Sequence, residues 1–450
     1  MEIDRSIKPS ITSYFSYKGP DFESFTLENN LDVYFIKKDT LPIITIDIIV
    51  NAGSVFEPQD KKGISNLLSR CIDEGAGKYD SLELSEQFDL LGARFSIHNN
   101  TDTIQISLQT LKENFSRALK LLAMIITEPH FKQKDFEREK RNTLTKLKQL
   151  NDDPDYLAST SFKYHLFGER SPYSYPVIGL NKDITRVTNK EIVSYYTKYI
   201  RPENSFIIVV GDISKIRLKN YLNKIYSSWR SDSSDLRFDS TDKSDEKIVY
   251  IVDKKESVQT EIKTGHHATG RNTEDYFAKH ILNTILGGQF TSRINLNLRE
   301  KHGYTYGAGS NFNYYKNSAY FAVSTSVGIE NTANALNEII TELEKLNDGI
   351  TDKELEFAKS SIIRKFPLNF ETYDQVASNF IGKVIYDLPE NYFDTYVDKI
   401  NSVSVEDVNK AAMDNIFPNL ATTILVGDKI KIMSQLEGHD FGEAVVVDKI

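Results

Sequence analysis

Cysteine is nearly absent. Cys71 stands alone among 450 residues, which excludes an intramolecular disulfide and any cysteine-cluster metal site. No uninterrupted apolar run approaches the length that crosses a bilayer. A leader is missing too: "MEIDRSIKPSITSYFSY" carries acidic residues and no apolar core segment, so neither a secretory signal nor an Arg-rich transit peptide is visible and the expected location is cytoplasmic. Nor is there an excess of bases, since the net charge of −9 argues against nucleic acid as a partner. What is present is a globular composition, 40% hydrophobic and 26% charged, unlike that of disordered or membrane chains. The length predicts at least two domains.

An internal match organises the chain. "ITRVTNKEIVSYYTKYIRPENSFIIVVGD" from Ile184 lies over "INSVSVEDVNKAAMDNIFPNLATTILVGD" from Ile400 without a gap, bringing Pro202, Gly211 and Asp212 onto Pro418, Gly427 and Asp428 at an offset of 216. "ENFSRALKLLAMII" matches "ENTANALNEIITEL" at 217. Nearly constant offsets across different element types imply a duplicated domain, because solenoids repeat every ~20 to 50 residues. The polar, Ser/Asp-rich stretch from Ser231 to Lys247 reads as the linker. It separates an N-terminal domain (1–230) from a C-terminal domain (248–450).

Within the first copy, "FTLENNLDVYFIKK" and "PIITIDIIVNAGS" predict strands. "KKGISNLLSRCIDEG" places Ile64, Leu67, Leu68 and Cys71 at helical spacing, so Asn66 and Arg70 share another face. Asp80 with Glu83 predicts a capping box on a helix stopped by Gly92. Strands follow at Phe95–Ile97 and Ile104–Leu108, then an amphipathic helix and a highly charged one from Lys132 to Leu150. The expected fold is α+β: two homologous domains, each a mainly antiparallel sheet with helices packed on it.

These segments are familiar together. "AGSVFEP", "KKGISNLLSRCIDEGAG", "LSEQFDLLGARFSI" and, in the second copy, "LGGQFTSRINLNLREKHGYTYGAGS" resemble the mitochondrial-processing-peptidase-like branch of the pitrilysin/insulinase family over roughly Glu23 to Asp428. Catalytic members carry H-x-x-E-H on the first helix, two zinc-binding imidazoles one turn apart with a general base between them. The register here puts Asn66, Ser69 and Arg70 at those positions. The family's third ligand, 76 residues beyond the second His, falls on Lys146. Asn and Ser are poor zinc ligands and the two cations oppose a dication, so no metal is expected in this chain.

No other cluster substitutes. The eight histidines include one adjacent pair, His266–His267, which a strand would point to opposite faces. Gly287–Gly288 with Arg293 reads as a tight loop rather than an anion site, and the Lys132–Leu150 run as a solvated helix face. The family resemblance further implies that an Arg and a Tyr seven residues apart reach across to a zinc site, and Arg299 and Tyr306 have that separation. A guanidinium would bind a peptide carbonyl and a phenol would donate to the developing oxyanion. Ordinary alternatives are a solvated helix-end Arg and a packed strand Tyr.

The resemblance therefore implies a non-catalytic, substrate-binding subunit, inactive alone. It would be paired with a homologous H-x-x-E-H-bearing subunit that holds the zinc, the two together acting on extended peptides. A structural or peptide-binding scaffold without proteolysis is the second reading. A self-sufficient hydrolase is the third, disfavoured because no G-x-S-x-G elbow is present and Cys71 sits on an apolar helix face.

Overall fold

The structure, a computed structural model, describes residues 17–229 and 246–450. The linker reading at 231–247 therefore falls almost wholly outside the described residues.

Six strands form the first sheet: β1 (Glu23–Thr26), β2 (Asp32–Lys37), β3 (Ile43–Val50), β4 (Arg94–Asn99), β5 (Ile104–Leu111) and β6 (Ser205–Gly211). Their order is β1-β2-β6-β3-β5-β4. The second comprises β7 (Ile248–Asp253), β8 (Gln259–His267), β9 (Ala308–Tyr314), β10 (Ala319–Gly328), β11 (Thr422–Gly427) and β12 (Glu443–Val447), ordered β12-β7-β11-β8-β10-β9. In each sheet one central pair, β2 with β6 or β7 with β11, is parallel and the next three pairings are antiparallel.

Duplication is thus written into the topology. Asp32 and Ile248 open equivalent strands 216 residues apart, as do Ile43 and Gln259. The helices Asn189–Tyr199 and Val405–Asn415 repeat at the same offset, and each opens on a capping box, Thr188 with Glu191 and Ser404 with Asp407. Only the outer strand differs: β1 runs antiparallel to β2, whereas β12 runs parallel to β7. The predicted Asp80–Glu83 capping box is present on the helix Ser81–Leu90.

Each sheet has two faces, and one is covered by helices of its own half. Ile44, Ile46 and Ile48 of β3 and Ile106 of β5 meet the helices Ile64–Cys71, Phe115–Thr127 and Gln133–Leu150 in one core. The opposite face is covered by the other half. The helix Pro154–Phe167 leaves the first half to lie on β8 and β11 of the second sheet, while Tyr373–Ile385 leaves the second half to lie on β3 and β6 of the first. Leu157, Phe162 and Leu166 pack with Tyr250, Ile424 and Val426. Val376, Phe380 and Ile381 pack with Ile49, Ile208 and Val210. The exchanged helices are themselves equivalent elements of the duplication, contacting equivalent strands. Among the described residues no helix is long and apolar enough to cross a membrane.

Because each half covers a face of the other, the chain should unfold as one unit rather than as two domains. Truncating the fully buried Phe162 in Phe162→Ala is expected to cost about 3–5 kcal/mol while scanning calorimetry still shows a single transition. Two separated transitions would contradict the exchange.

Candidate functional site

The helix Ile64–Cys71 starts from a sharp turn. Gly63 has φ +98°, and a Cβ there would lie 2.6 Å from the carbonyl oxygen of Ile178, so the position favours glycine. The helix's first N–H groups are taken by Glu57, whose carboxylate accepts from Gly63 N at 2.8 Å, Ser65 N at 2.9 Å and Ser65 Oγ at 2.5 Å. Complete burial outweighs these donors and pushes the Glu57 carboxyl up to about 7.

On this helix Leu67, Leu68 and Cys71 are buried in the core, and burial pushes the Cys71 thiol up. Asn66 is half-buried, with its Nδ2 lacking a hydrogen-bond partner. Ser69 Oγ donates back to Ser65 O at 3.0 Å, which commits the hydroxyl to the helix itself. Arg70 Nε lies 3.3 Å from Glu139 Oε2. Lys146, on the same helix as Glu139, is exposed.

Glu139 is the residue sequence reasoning passed over. It lies seven positions before Lys146, two helical turns away and on nearly the same face, a spacing legible in the sequence. Buried to 8% exposure, it accepts from Arg70, from Arg138 Nε at 3.2 Å and from Asn142 Nδ2 at 3.1 Å. Arg138 also binds Asp135 Oδ1 at 2.8 Å and Glu74. The highly charged helix is therefore not a wholly solvated face, because Asp135 and Glu139 turn inward to meet guanidinium groups. An unpartnered amide, a committed hydroxyl, a guanidinium paired with a buried carboxylate and an exposed ammonium do not fit a zinc ion.

Arg299 and Tyr306 lie elsewhere, beside the second sheet. Arg299 belongs to the wide helical turn Leu296–Lys301, its guanidinium 4.3 Å above the Phe290 ring and its Nε 3.5 Å from Glu300 Oε1. Tyr306 is 94% exposed, which rules out a packed strand tyrosine. Its neighbours are held: Gly307 N donates to Thr305 Oγ1 at 3.0 Å, and Thr325 Oγ1 of β10 donates to Gly307 O at 3.0 Å. Among the described residues, neither side chain bonds to Asn66, Ser69, Arg70 or Lys146.

The remaining candidates are structural. A Cβ on Gly287 would lie 2.4 Å from Ser310 N, and Arg293 is clamped by both carboxylate oxygens of Glu354 at 2.7 and 2.9 Å. His266 Nε2 accepts from Phe417 N at 3.0 Å, while His267 Nε2 lies 3.1 Å from Leu166 O. No group of three His, Cys, Asp or Glu able to hold a metal ion occurs among the described residues.

A duplicated two-sheet α+β protein is the class these features define. The profile described as "Insulinase (Peptidase family M16)" matches residues 33–170, and "Peptidase M16 inactive domain" matches 186–362. The chain belongs to this peptidase M16 family. An "Uncharacterized zinc protease" of Rickettsia felis is 23% identical over 90% of this chain and 98% of its own. A Helicobacter pylori protein called "Non-peptidase homolog YmxG" is 24% identical over 89% and 92%. The crystal structure of a peptidase M16 inactive domain from Pseudomonas fluorescens superposes with a TM-score of 0.85 at 23% identity, covering 91% of this chain and 98% of that one.

Two expectations follow. Arg70→Ala strips one partner from buried Glu139 and should cost about 1–2 kcal/mol in urea unfolding; in a Glu139→Gln background the effect should nearly vanish. The second concerns pH. The folded-state pKa of Glu57 is raised from 4.5 to about 7, so its contribution is fully present below about 4.5 and is lost as pH rises through 7. At about 1.4 kcal/mol per tenfold change in proton affinity, about 3 kcal/mol is at stake. Asp73, raised to about 6 by burial, acts in the same direction. Glu57→Gln should flatten the fall in denaturant midpoint between pH 5 and 8, and an unchanged slope would refute the assignment.

Proposed function

We propose that this chain is a non-catalytic, substrate-binding subunit of a heterodimeric zinc metalloendopeptidase. It docks against a homologous H-x-x-E-H-bearing partner and lends Arg299 and Tyr306 to the partner's active site. The observation that carries this reading is Tyr306: a phenol 94% exposed on a loop hydrogen-bonded at both flanks. A large side chain presented to solvent on ordered backbone suits contact with a second molecule. Arg299 is partly exposed, lying over the Phe290 ring, and its contact with Glu300 is a surface pair of little strength. The misfit of the first helix to zinc supports assigning the metal and the general base to the partner. The name of the Helicobacter pylori relative, a non-peptidase homolog, agrees with a chain inactive by itself.

In this arrangement the peptide lies extended between the subunits. The Arg299 fork binds a backbone carbonyl of the peptide, and the Tyr306 hydroxyl donates to the oxygen that gains negative charge when water attacks the scissile carbonyl.

The purified chain alone should cleave no peptide and bind no stoichiometric zinc. Mixed with its H-x-x-E-H-bearing partner it should yield a peptidase, and Tyr306→Phe should lower kcat by about 100-fold, the scale of one lost oxyanion donor. Full activity in Tyr306→Phe would remove that role. A co-purifying partner that itself lacks H-x-x-E-H would replace the peptidase reading with that of a scaffold.

A further inference from the structure

The face of the first sheet turned toward the second half changes character across its width. Over β2 and β6 it is apolar, with Ile36, Ile208 and Val210 buried beneath the helix Tyr373–Ile385. Over β5 and β4 it is polar, because alternate residues share a face. The register sets Asp47 opposite Ser107, and Ser107 opposite Ser96. Thr45, Gln109 and Arg94 make the next row on one side, and Gln105 with His98 continue the face on the other. The helix leaves this part uncovered, so a cavity of about 500 Å³ remains between the strands and Asp374, a volume in the range of small-ligand sites.

Donors and acceptors in this cavity are unevenly spent. Asp47, 3% exposed, accepts at Oδ1 from Gln105 Nε2 at 3.0 Å and from the Ser107 hydroxyl, whereas Oδ2 has no hydrogen-bond partner. Gln109 Nε2 donates to Thr45 Oγ1 at 3.1 Å and to Asp374 Oδ1 at 3.0 Å. Both glutamine amide nitrogens are thus engaged while both side-chain carbonyls are unbonded. Arg94, the one Arg or Lys lining the cavity, is ion-paired to Asp374. Three acceptors are unclaimed, Asp47 Oδ2, Gln105 Oε1 and Gln109 Oε1, beside the Ser96 and Ser378 hydroxyls and the His98 imidazole, which can accept as well as donate. Burial and the nearby Asp374 push the Asp47 carboxyl up, a cost that an incoming cation relieves.

A bare metal ion lacks the carboxylates and imidazoles it would require. A guanidinium offers five N–H donors in a plane and a delocalised, weakly hydrated charge, which matches one carboxylate flanked by amide carbonyls. We propose that the cavity between β4, β5 and the helix Tyr373–Ile385 binds a guanidinium group, with Asp47 as its counter-ion and Gln105 and Gln109 as flanking acceptors. The group is that of a free guanidino compound or of an arginine side chain in a peptide running beside β4, the edge strand. The site goes beyond the heterodimer reading and is independent of any partner.

Isothermal titration calorimetry of the full chain near neutral pH tests it. The probes are agmatine, the blocked tripeptide Ala-Arg-Ala, and the same tripeptide with neutral citrulline in place of arginine. At least one guanidinium probe should bind about tenfold or more tighter than the citrulline peptide. Asp47→Asn should weaken that binding by about tenfold or more. Ser96→Lys, which sets a cation in the cavity from the accessible edge strand, should abolish it and decides the matter if Asp47→Asn does not fold. Agmatine matching the arginine peptide identifies a free guanidino ligand, and a clear preference for the peptide identifies an arginine side chain. Absence of binding by both guanidinium probes, equal binding of the citrulline peptide, or wild-type affinity in the folded variants overturns the proposal.

Discussion

The two sheets depend on a loan. A sheet buried on one side by its own helices still exposes a second apolar surface, and in this chain that surface is closed by a helix from the other half. Leaving Ile49, Ile208 and Val210 or Tyr250, Ile424 and Val426 in water would forfeit about 1.5–3 kcal/mol for each large side chain. The loans fix how the halves sit. The helix Ile64–Cys71 is anchored to the first sheet and the Arg299–Tyr306 loop to the second, so the exchange sets the separation of these two regions.

Charge pairing joins the first helix to the charged helix Gln133–Leu150. Arg70 reaches from the first helix to Glu139, Arg138 reaches back to Glu74, and Asp135 completes the set. Two guanidinium groups face three carboxylates, two of which are deeply buried. Such a network tolerates removal of both members of a pair far better than removal of one. Arg70 therefore has a structural role in this network, and its charge opposes a metal ion at the same position.

Much of this was legible in advance where the signal was local. The capping boxes at Asp80 and Thr188, the apolar stripe of Ile64, Leu67, Leu68 and Cys71, and the 216-residue offset each depend on residues close in sequence or on identity at a fixed spacing. The helix exchange was not legible. The pattern Leu157, Phe162, Leu166 announces a buried face but carries no mark of which sheet buries it. The four positions that the family motif marks, three for ligands and one for a general base, could be counted, yet counting gave only Lys146 and missed Glu139, since a register inherited from the family points at one residue and not at its neighbours in space. The same holds for Asp47. A carboxylate within "IITIDIIV" is conspicuous in the sequence, but the glutamines beside it come from a strand more than fifty residues away. Tyr306 could be named without its exposure being knowable, because turn residues around a tyrosine fit a buried ring as well as a displayed one.

Equivalent helices lying on equivalent strands have the geometry of a two-fold dimer in which each protomer inserts an arm into its twin. A single half, with its own arm and one uncovered sheet face, would complete itself only by meeting another copy. Covalent joining replaces that encounter with an intramolecular one at an effective concentration on the order of millimolar and also ends the obligation of the two copies to stay alike. The outer strands differ in direction and in their place along each half. The second copy carries Leu282, Ile285 and Leu286 where the first carries Asn66, Ser69 and Arg70 at the 216 offset, while Arg299 and Tyr306 belong to the second copy. Tethering made the symmetry dispensable, and the two halves record what each did with that freedom.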